Sequence, residues 1–325
     1  MKTLLTKAEV QTGQDESTST KLKVVRLQRS CVHDGAGLRT TIFFRGCGLR
    51  CLWCQNPEAL SLKSNDGDMN ISIESIAEII LRDKKYYQVS GGGVTLSGGE
   101  PFLQDGESLK NLLRLLKEHS IHISAETALH APWESISAVM PYIDTFIVDL
   151  KAVGSDEFHK SLTGQDGVLI RSNLEKLLSS KAKIKIRMLM VPELNDSEEH
   201  IKNAASYIKS LGFNSIELMK YHSMYENKAH TFGLDIPMLN ITPGQSLISL
   251  KNGVELFKKY AVDAYSDDLM ESPAAAELAV RDTATSGNSS RMRCRSSRKL
   301  RHRQGSSSDA RTTWEDTGTS TAVTR

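Results

Sequence analysis

The sequence predicts an α/β fold built on a parallel sheet, and three observations carry that expectation. Short β-branched runs alternate with stretches of helical period through most of the chain. At 325 residues the chain is long enough for one large α/β domain plus an appendage. The residues able to do chemistry fall at the ends of the strand-like runs, where parallel α/β folds bind ligands. Alternation also implies right-handed crossovers, but it does not settle whether the sheet closes.

Taken in order, Leu38–Arg45 reads as a strand. Ile73–Tyr87 reads as a helix, with apolar residues at Ile73, Ile76, Ala77, Ile79, Ile80 and Leu81. Gly93–Ser97 is a short strand, and Leu109–His119 a helix built on Leu109, Leu112, Leu113 and Leu116. Ile121–Thr127 is a strand; Pro132–Met140 opens with a proline suited to a helix start. Thr145–Leu150 is a strand and Ile170–Ser180 a helix. Lys183–Val191 sets Ile184, Ile186, Met188 and Met190 against basic partners, so its second face is wet or functional. Ser197–Leu211 is a helix with Ser197 as N-cap and Gly212 as stop, and Ser215–Tyr221 closes the series as a strand.

The charge balance, 41 basic against 39 acidic residues, argues for no polyanionic partner. No apolar run approaches the roughly 20 residues needed to cross a bilayer. Residues 1–23 form a polar leader without the apolar core of a secretory signal. Its serines and threonines suit an organelle transit peptide, but Asp15 and Glu16 interrupt it and arginine is absent, so a cytoplasmic protein is the expectation. Residues 24–265 make the domain. Residues 266–325 are rich in Ser, Thr, Arg and Ala and lack sustained periodicity, which predicts a disordered tail. Its basic run from Arg291 to Arg303 has no aromatic interleaving, so it is weak evidence for nucleic-acid binding.

Five cysteines, three of them clustered, do not make a disulfide framework and read as metal ligands in a reducing compartment. Cys47, Cys51 and Cys54 stand at C-x3-C-x2-C spacing, which suits a single iron–sulfur cluster or a zinc ion. Structural zinc needs a fourth ligand, with Cys31 and His33 the nearest candidates. A [4Fe–4S] cube held by three cysteines leaves one iron open to a small molecule, as catalytic metal sites keep a position open. A second motif, Ser97-Gly98-Gly99-Glu100-Pro101, offers glycine backbone that a ligand can approach closely, and a carboxylate.

The cysteine spacing after a strand resembles the radical S-adenosylmethionine (SAM) superfamily. Its flanks, Asp34-Gly35-Ala36-Gly37-Leu38-Arg39-Thr40, Phe44-Arg45-Gly46-Cys47 and Trp53-Cys54-Gln55-Asn56-Pro57-Glu58, resemble the activating enzymes of glycyl-radical enzymes. Ala36 stands where that family has proline. The resemblance implies a partial (β/α)6 barrel open on one side, with one [4Fe–4S] cluster on Cys47, Cys51 and Cys54. Between Cys54 and Gly98 there is no room for the eight-cysteine ferredoxin insert of longer activases. It further implies that Gly98, Gly99 and Glu100 hold the SAM amino group, and that Asp149, Lys151 and Arg187, the last at a strand end, belong to the same site. Glu126-Thr127, with Asp149, would hold a monovalent cation near the SAM carboxylate, and His222 would lie near the adenosine. Departures follow: Ala128-Leu129 where the pattern runs to glycine, Glu193 in place of glycine, Tyr225 for glycine, and Ala229 for an aromatic.

The activity so implied is reductive cleavage of SAM to methionine and a 5′-deoxyadenosyl radical, which takes a hydrogen from a glycine Cα of a partner glycyl-radical enzyme. Flavodoxin or ferredoxin would supply the electron, and the chemistry would be anaerobic. Two other readings stand beside it. One is a radical SAM enzyme acting on a small molecule, resembling 7-carboxy-7-deazaguanine synthase; the other is a non-catalytic metal-binding or interaction protein.

Overall fold

The computed structural model describes residues 22–269, apart from 62, 64–67, 70 and 233–235. Almost all of the expected leader and disordered tail lie outside the described residues. The domain itself runs past 265, because the Lys220 amide donates to Asp268 Oδ2 at 2.8 Å.

Among the described residues, eight strands form one sheet whose spatial order is the order of the chain. They are β1 (Val24–Cys31), β2 (Arg39–Phe44), β3 (Gly93–Gly98), β4 (Ile123–Thr127), β5 (Thr145–Asp149), β6 (Ile184–Met190), β7 (Ser215–Lys220) and β8 (Asp263–Tyr265). β1 runs antiparallel to β2, and every other neighbouring pair is parallel. Helices occupy the connections: α1 (Ile73–Leu81), α2 (Lys84–Ser90), α3 (Gly106–Glu118), α4 (Trp133–Val139), α5 (Asp156–Thr163), α6 (Val168–Ser179), α7 (Glu198–Ser210), α8 (Met224–Thr231) and α9 (Pro243–Lys259). Because the strand order never reverses, every crossover steps the same way and the helices gather on one face. Such a sheet curls about its other face. Among the described residues β1 and β8 do not pair, so the barrel stays open. The six parallel strands β2–β7 are the expected (β/α)6 portion.

Each strand separates its two faces by the alternation of side chains. Ile42, Leu96, Ala125 and Phe146 stand side by side in register and are fully buried in the core shared with the helices. The register neighbours one residue away, Thr41, Thr95, Ser124 and Thr145, are hydroxyls buried in the barrel. Arg39, also fully buried, lies beneath them. It donates from Nε to Thr95 Oγ1 (2.6 Å), from Nη2 to Ser124 Oγ (3.1 Å) and from Nη1 to the carbonyl of Ala36 (3.1 Å). Burial lowers its pKa to about 10, so it stays charged at neutral pH. The Asp34–Ala36 segment is thereby tied to the barrel strands: Thr95 Oγ1 donates to the Asp34 carbonyl at 2.6 Å and Thr41 to the Asp34 carboxylate.

Helix starts follow local chemistry. Ser72, Asp105, Ser155, Ser197 and Thr242 each accept a backbone N–H of the first turn through the side chain. The single helix expected over Ile73–Tyr87 is two, α1 and α2. The break falls at Arg82–Asp83, and the buried Asp83 carboxylate there accepts from Arg29 Nε (2.7 Å) and Thr40 Oγ1 (3.3 Å). A buried carboxylate needs such partners, and β1 and β2 supply them. α5 was not expected because Asp156–Thr163 carries few apolar residues.

Arg39→Met should cost ~3 kcal/mol in urea unfolding, since several buried acceptors lose one donor. Arg114→Met, which breaks an exposed pair with Glu118, should cost less than ~0.5 kcal/mol. Equal losses would contradict the place given to Arg39.

Candidate functional site

The cysteine loop, residues 46–54, leaves the carboxyl end of β2 and is tied down along its length. Gly46 N donates to Ala59 O (2.7 Å), Cys47 N to Leu60 O (3.2 Å), Arg50 N to Thr163 O (2.6 Å) and Leu52 N to Leu162 O (3.0 Å). The end of β3 crosses it closely. Gly99 N donates to Phe44 O (2.9 Å) and Glu100 N to Gly46 O (2.7 Å). A Cβ at Gly99 would stand 2.2 Å from Gly46 O, and one at Gly98 2.5 Å from Phe44 N. The two glycines therefore let the cysteine loop and the β3 end share one position at the mouth of the barrel.

The three thiols are partly buried and lie close enough to act on one another. Burial pushes Cys47 up to about 11 and Cys51 up to about 12, with Cys54 also raised chiefly by burial. Neighbouring sulfurs contribute to each of the first two shifts, while Lys151 pulls all three down. This donor set fits a metal centre: thiols that are costly to ionise alone become thiolates when a metal takes the place of their protons. Among the described residues, no three His, Cys, Asp or Glu side chains converge as ligands of one ion must. Cys31, one of the two suggested fourth zinc ligands, is not brought to the loop. Cys31 pairs in register with Arg39, the opposite end of β2 from the loop, roughly 16 Å away at ~3.3 Å per residue. Its thiol donates to Gln28 O instead, at 3.4 Å.

Around this loop the structure gathers most of the expected residues, some in different roles. Asp149 ends β5 and accepts from Lys151 Nζ at 3.0 Å. Burial alone would lower the Lys151 pKa; Asp149 and the Cys51 sulfur more than offset it, and the ammonium stays charged. Arg187 lies in the middle of β6, not at its end, in register with both Asp149 and Glu217. Nη1 donates to Glu126 Oε1 at 2.5 Å, while Nε and Nη2 donate to the two Glu217 oxygens at 3.3 Å. Against the effect of burial, these carboxylates hold its pKa above the ordinary value. His222 lies two residues beyond β7 and is exposed.

Glu100 is buried with both oxygens engaged. Oε1 accepts from Thr127 Oγ1 (2.7 Å) and Phe102 N (3.4 Å), Oε2 from Ala128 N (3.2 Å). Burial lifts its pKa to about 7 against those bonds. Its carboxylate clasps the end of β4 to the end of β3, so the element's exposed acceptors are main-chain ones. Glu126 and Thr127 face opposite ways from β4 and are not brought to a common point: Glu126 meets Arg187 and Ser97, Thr127 meets Glu100.

The departures from the family pattern have local explanations. Leu129 and Glu193, both standing for glycine, keep left-handed backbone at φ +60° and +67°. Leu129 is held there by its own buried side chain, by its N–H donating to Thr127 Oγ1 (2.8 Å), and by Asn173 Nδ2 on its carbonyl (2.9 Å). Tyr225 and Ala229 lie four apart on α8 and so share a face. Both are buried; Tyr225 packs edge-on against Tyr221 and donates to Pro237 O at 2.9 Å. The aromatic bulk has moved one helical turn. The sequence reading missed a buried clasp behind the third cysteine: Glu58 accepts from Arg26 and, at 3.2 Å, from Lys228 Nζ, which also donates to Gln55 O at 2.6 Å. Its signal was the charge pattern of β1 and α8, which periodicity alone does not resolve.

The sequence matches the radical SAM superfamily over residues 41–205. It is 36% identical to the pyruvate formate-lyase-activating enzyme of Clostridium pasteurianum over 209 residues, covering 64% of this chain and 85% of the relative. It is 30% identical to the choline trimethylamine-lyase activating enzyme of Oleidesulfovibrio alaskensis over 300 residues, covering 74% and 96%. The fold also resembles the crystal structure of SuiB from Streptococcus suis, with a TM-score of 0.51 at 14% identity, over 69% of this chain and 47% of that one.

In cluster-free protein at neutral pH, Cys47 should carry roughly a hundredth of the thiolate of an ordinary cysteine and react with iodoacetamide correspondingly slowly. Peptide mass spectrometry would read it; labelling at the rate of the urea-unfolded chain would contradict the burial. The folded chain keeps these protons above pH ~9, where the unfolded chain releases them, so cluster-free stability should fall as pH rises from about 9 to about 11. Gly99→Ala should cost ~2 kcal/mol and reduce iron uptake on reconstitution, measured by unfolding and metal analysis.

Proposed function

The chain belongs to the radical SAM superfamily, among the oxidoreductases that activate glycyl-radical enzymes, and on that premise we propose a division of labour among its residues. Cys47, Cys51 and Cys54 hold a single [4Fe–4S] cluster. The backbone of Gly98 and Gly99, with Glu100 fixing their position, accepts the SAM amino group. Lys151, aligned by Asp149, and Arg187, aligned by Glu126 and Glu217, turn positive charge toward the SAM carboxylate, and His222 flanks the adenosine. When bound, cluster and SAM supply a one-electron cleavage that yields methionine and a carbon radical able to take hydrogen from a glycine Cα.

The protein's part is orientation and exclusion of water. Trp53, Leu162, Val191, Tyr221 and Tyr225 form an apolar cluster against Cys51, which keeps the loop dry. Glu58, Arg26 and Lys228 keep the Gln55-Asn56 turn fixed behind Cys54. The observation that carries the reading is the set of three partly buried thiols on one loop, raised by desolvation, beside a charged lysine.

The substrate is a glycyl-radical enzyme, with flavodoxin or ferredoxin as electron donor, in the cytoplasm. Met224, Phe232 and Met238 lie exposed on and after α8, beside the segment following Cys54, which favours a macromolecular surface over an enclosed small-molecule pocket. No helix among the described residues is long and apolar enough to cross a membrane.

Anaerobically reconstituted protein with dithionite should release methionine and 5′-deoxyadenosine from SAM, and a co-incubated glycyl-radical enzyme should show the glycyl EPR signal. Cys51→Ala should abolish both. SAM cleavage without a glycyl signal in any partner would point to a small-molecule substrate; no cleavage would reject enzymatic function.

A further inference from the structure

We propose that this chain binds SAM without an alkali cation, the guanidinium of Arg187 providing the positive charge that such an ion would provide, and that Glu126 is the residue that decides it. The inference rests on the SAM-binding reading above and concerns only how that site is charged. An alkali ion needs several oxygens with free lone pairs converging on one point.

Each residue suggested for it is already engaged, and the groups do not converge. Glu126 Oε1 accepts from Arg187 Nη1 at 2.5 Å and Oε2 from Ser97 Oγ at 2.7 Å. Thr127, next along the strand, faces the other way; its hydroxyl donates to Glu100 Oε1 at 2.7 Å and accepts from Leu129 N at 2.8 Å. Asp149 Oδ2 accepts from Lys151 Nζ at 3.0 Å. Arg187 is only 3% exposed and is caught from its far side by both oxygens of Glu217. An ion bound to Glu126 would stand beside the like charge of a buried guanidinium, or would have to displace that guanidinium from its carboxylate.

The work the ion would do is already done. Arg187 is in register with Asp149, so its charge sits in the same strand layer as the Asp149–Lys151 pair. Glu126 reaches it across β5, the strand between β4 and β6. The contact is made by the glutamate's terminal oxygen. Aspartate there, one methylene shorter, would release Arg187 and leave its own oxygens free to take a cation.

The test uses the reconstituted holoenzyme in NaCl, KCl or tetramethylammonium chloride at equal ionic strength. SAM affinity is read by anaerobic equilibrium dialysis, with the EPR spectrum of the reduced cluster recorded in parallel. The expected result is affinities within about twofold of one another and one spectrum in all three salts. Weakening by about tenfold or more in tetramethylammonium would overturn the inference. Glu126→Asp, matched to the parent in iron content, should acquire a dependence of about tenfold on Na+ or K+; indifference to the salt would overturn the role given to Glu126. If SAM binds in none of the salts, the SAM-binding reading fails and takes this inference with it, a pattern distinct from binding that varies with the salt.

Discussion

A two-residue alternation along the parallel strands is the constraint on which the rest of the molecule depends. One set of side chains, from Ile42 through Leu96, Ala125 and Phe146, is apolar and joins the helices. The other set turns Arg39, Ser97, Glu126 and Arg187 into the barrel, where each finds a partner. A one-residue slip in any strand would put charge into the helix core and hydrocarbon into the site. The fold and the binding chemistry are thus two faces of one pattern, and neither can be changed alone.

That pattern explains why much of the architecture was legible in the chain. Apolar periods mark α3 and α7, β-branched runs mark β2 to β7, and serine caps such as Ser197 mark where helices begin. What was not legible depended on tertiary partners. α1 and α2 read as one helix because the signal that divides them, the pairing of Asp83 with Arg29 and Thr40, comes from distant strands. β1, an edge strand, buries Val24, Leu27 and Cys31 at a spacing broken by register shifts, and β8 is three residues long, so neither presents a strong period.

The site shows the same division. Three cysteines in eight residues are visible to the eye, and their position after β2 follows from the strand that precedes them. The roles of Glu100 and Glu126 are not visible, because a carboxylate's letter does not say which neighbour it faces. Glu100 turns inward to Thr127 and the β4 end, and Glu126 to Arg187. Likewise Leu129 and Glu193 look like losses of glycine, yet both keep the left-handed backbone glycine would adopt, at a strain of roughly 1 kcal/mol each. Tyr225 and Ala229 look like two losses and are one exchange on a single helix face.

Desolvation links these observations to function. The thiols are raised by burial, Lys151 stays charged beside them, and the charges deeper in the barrel are paired among themselves. A metal centre that takes up three thiolates relieves the first of these, and an open metal position next to Lys151 is where a zwitterionic ligand would bind. The most direct measurement is Mössbauer spectroscopy of protein reconstituted with iron-57, recorded with and without SAM. The account predicts a [4Fe–4S] centre in which one iron alone changes its isomer shift when SAM is added. Four irons indifferent to SAM, or zinc bound in place of iron, would contradict it.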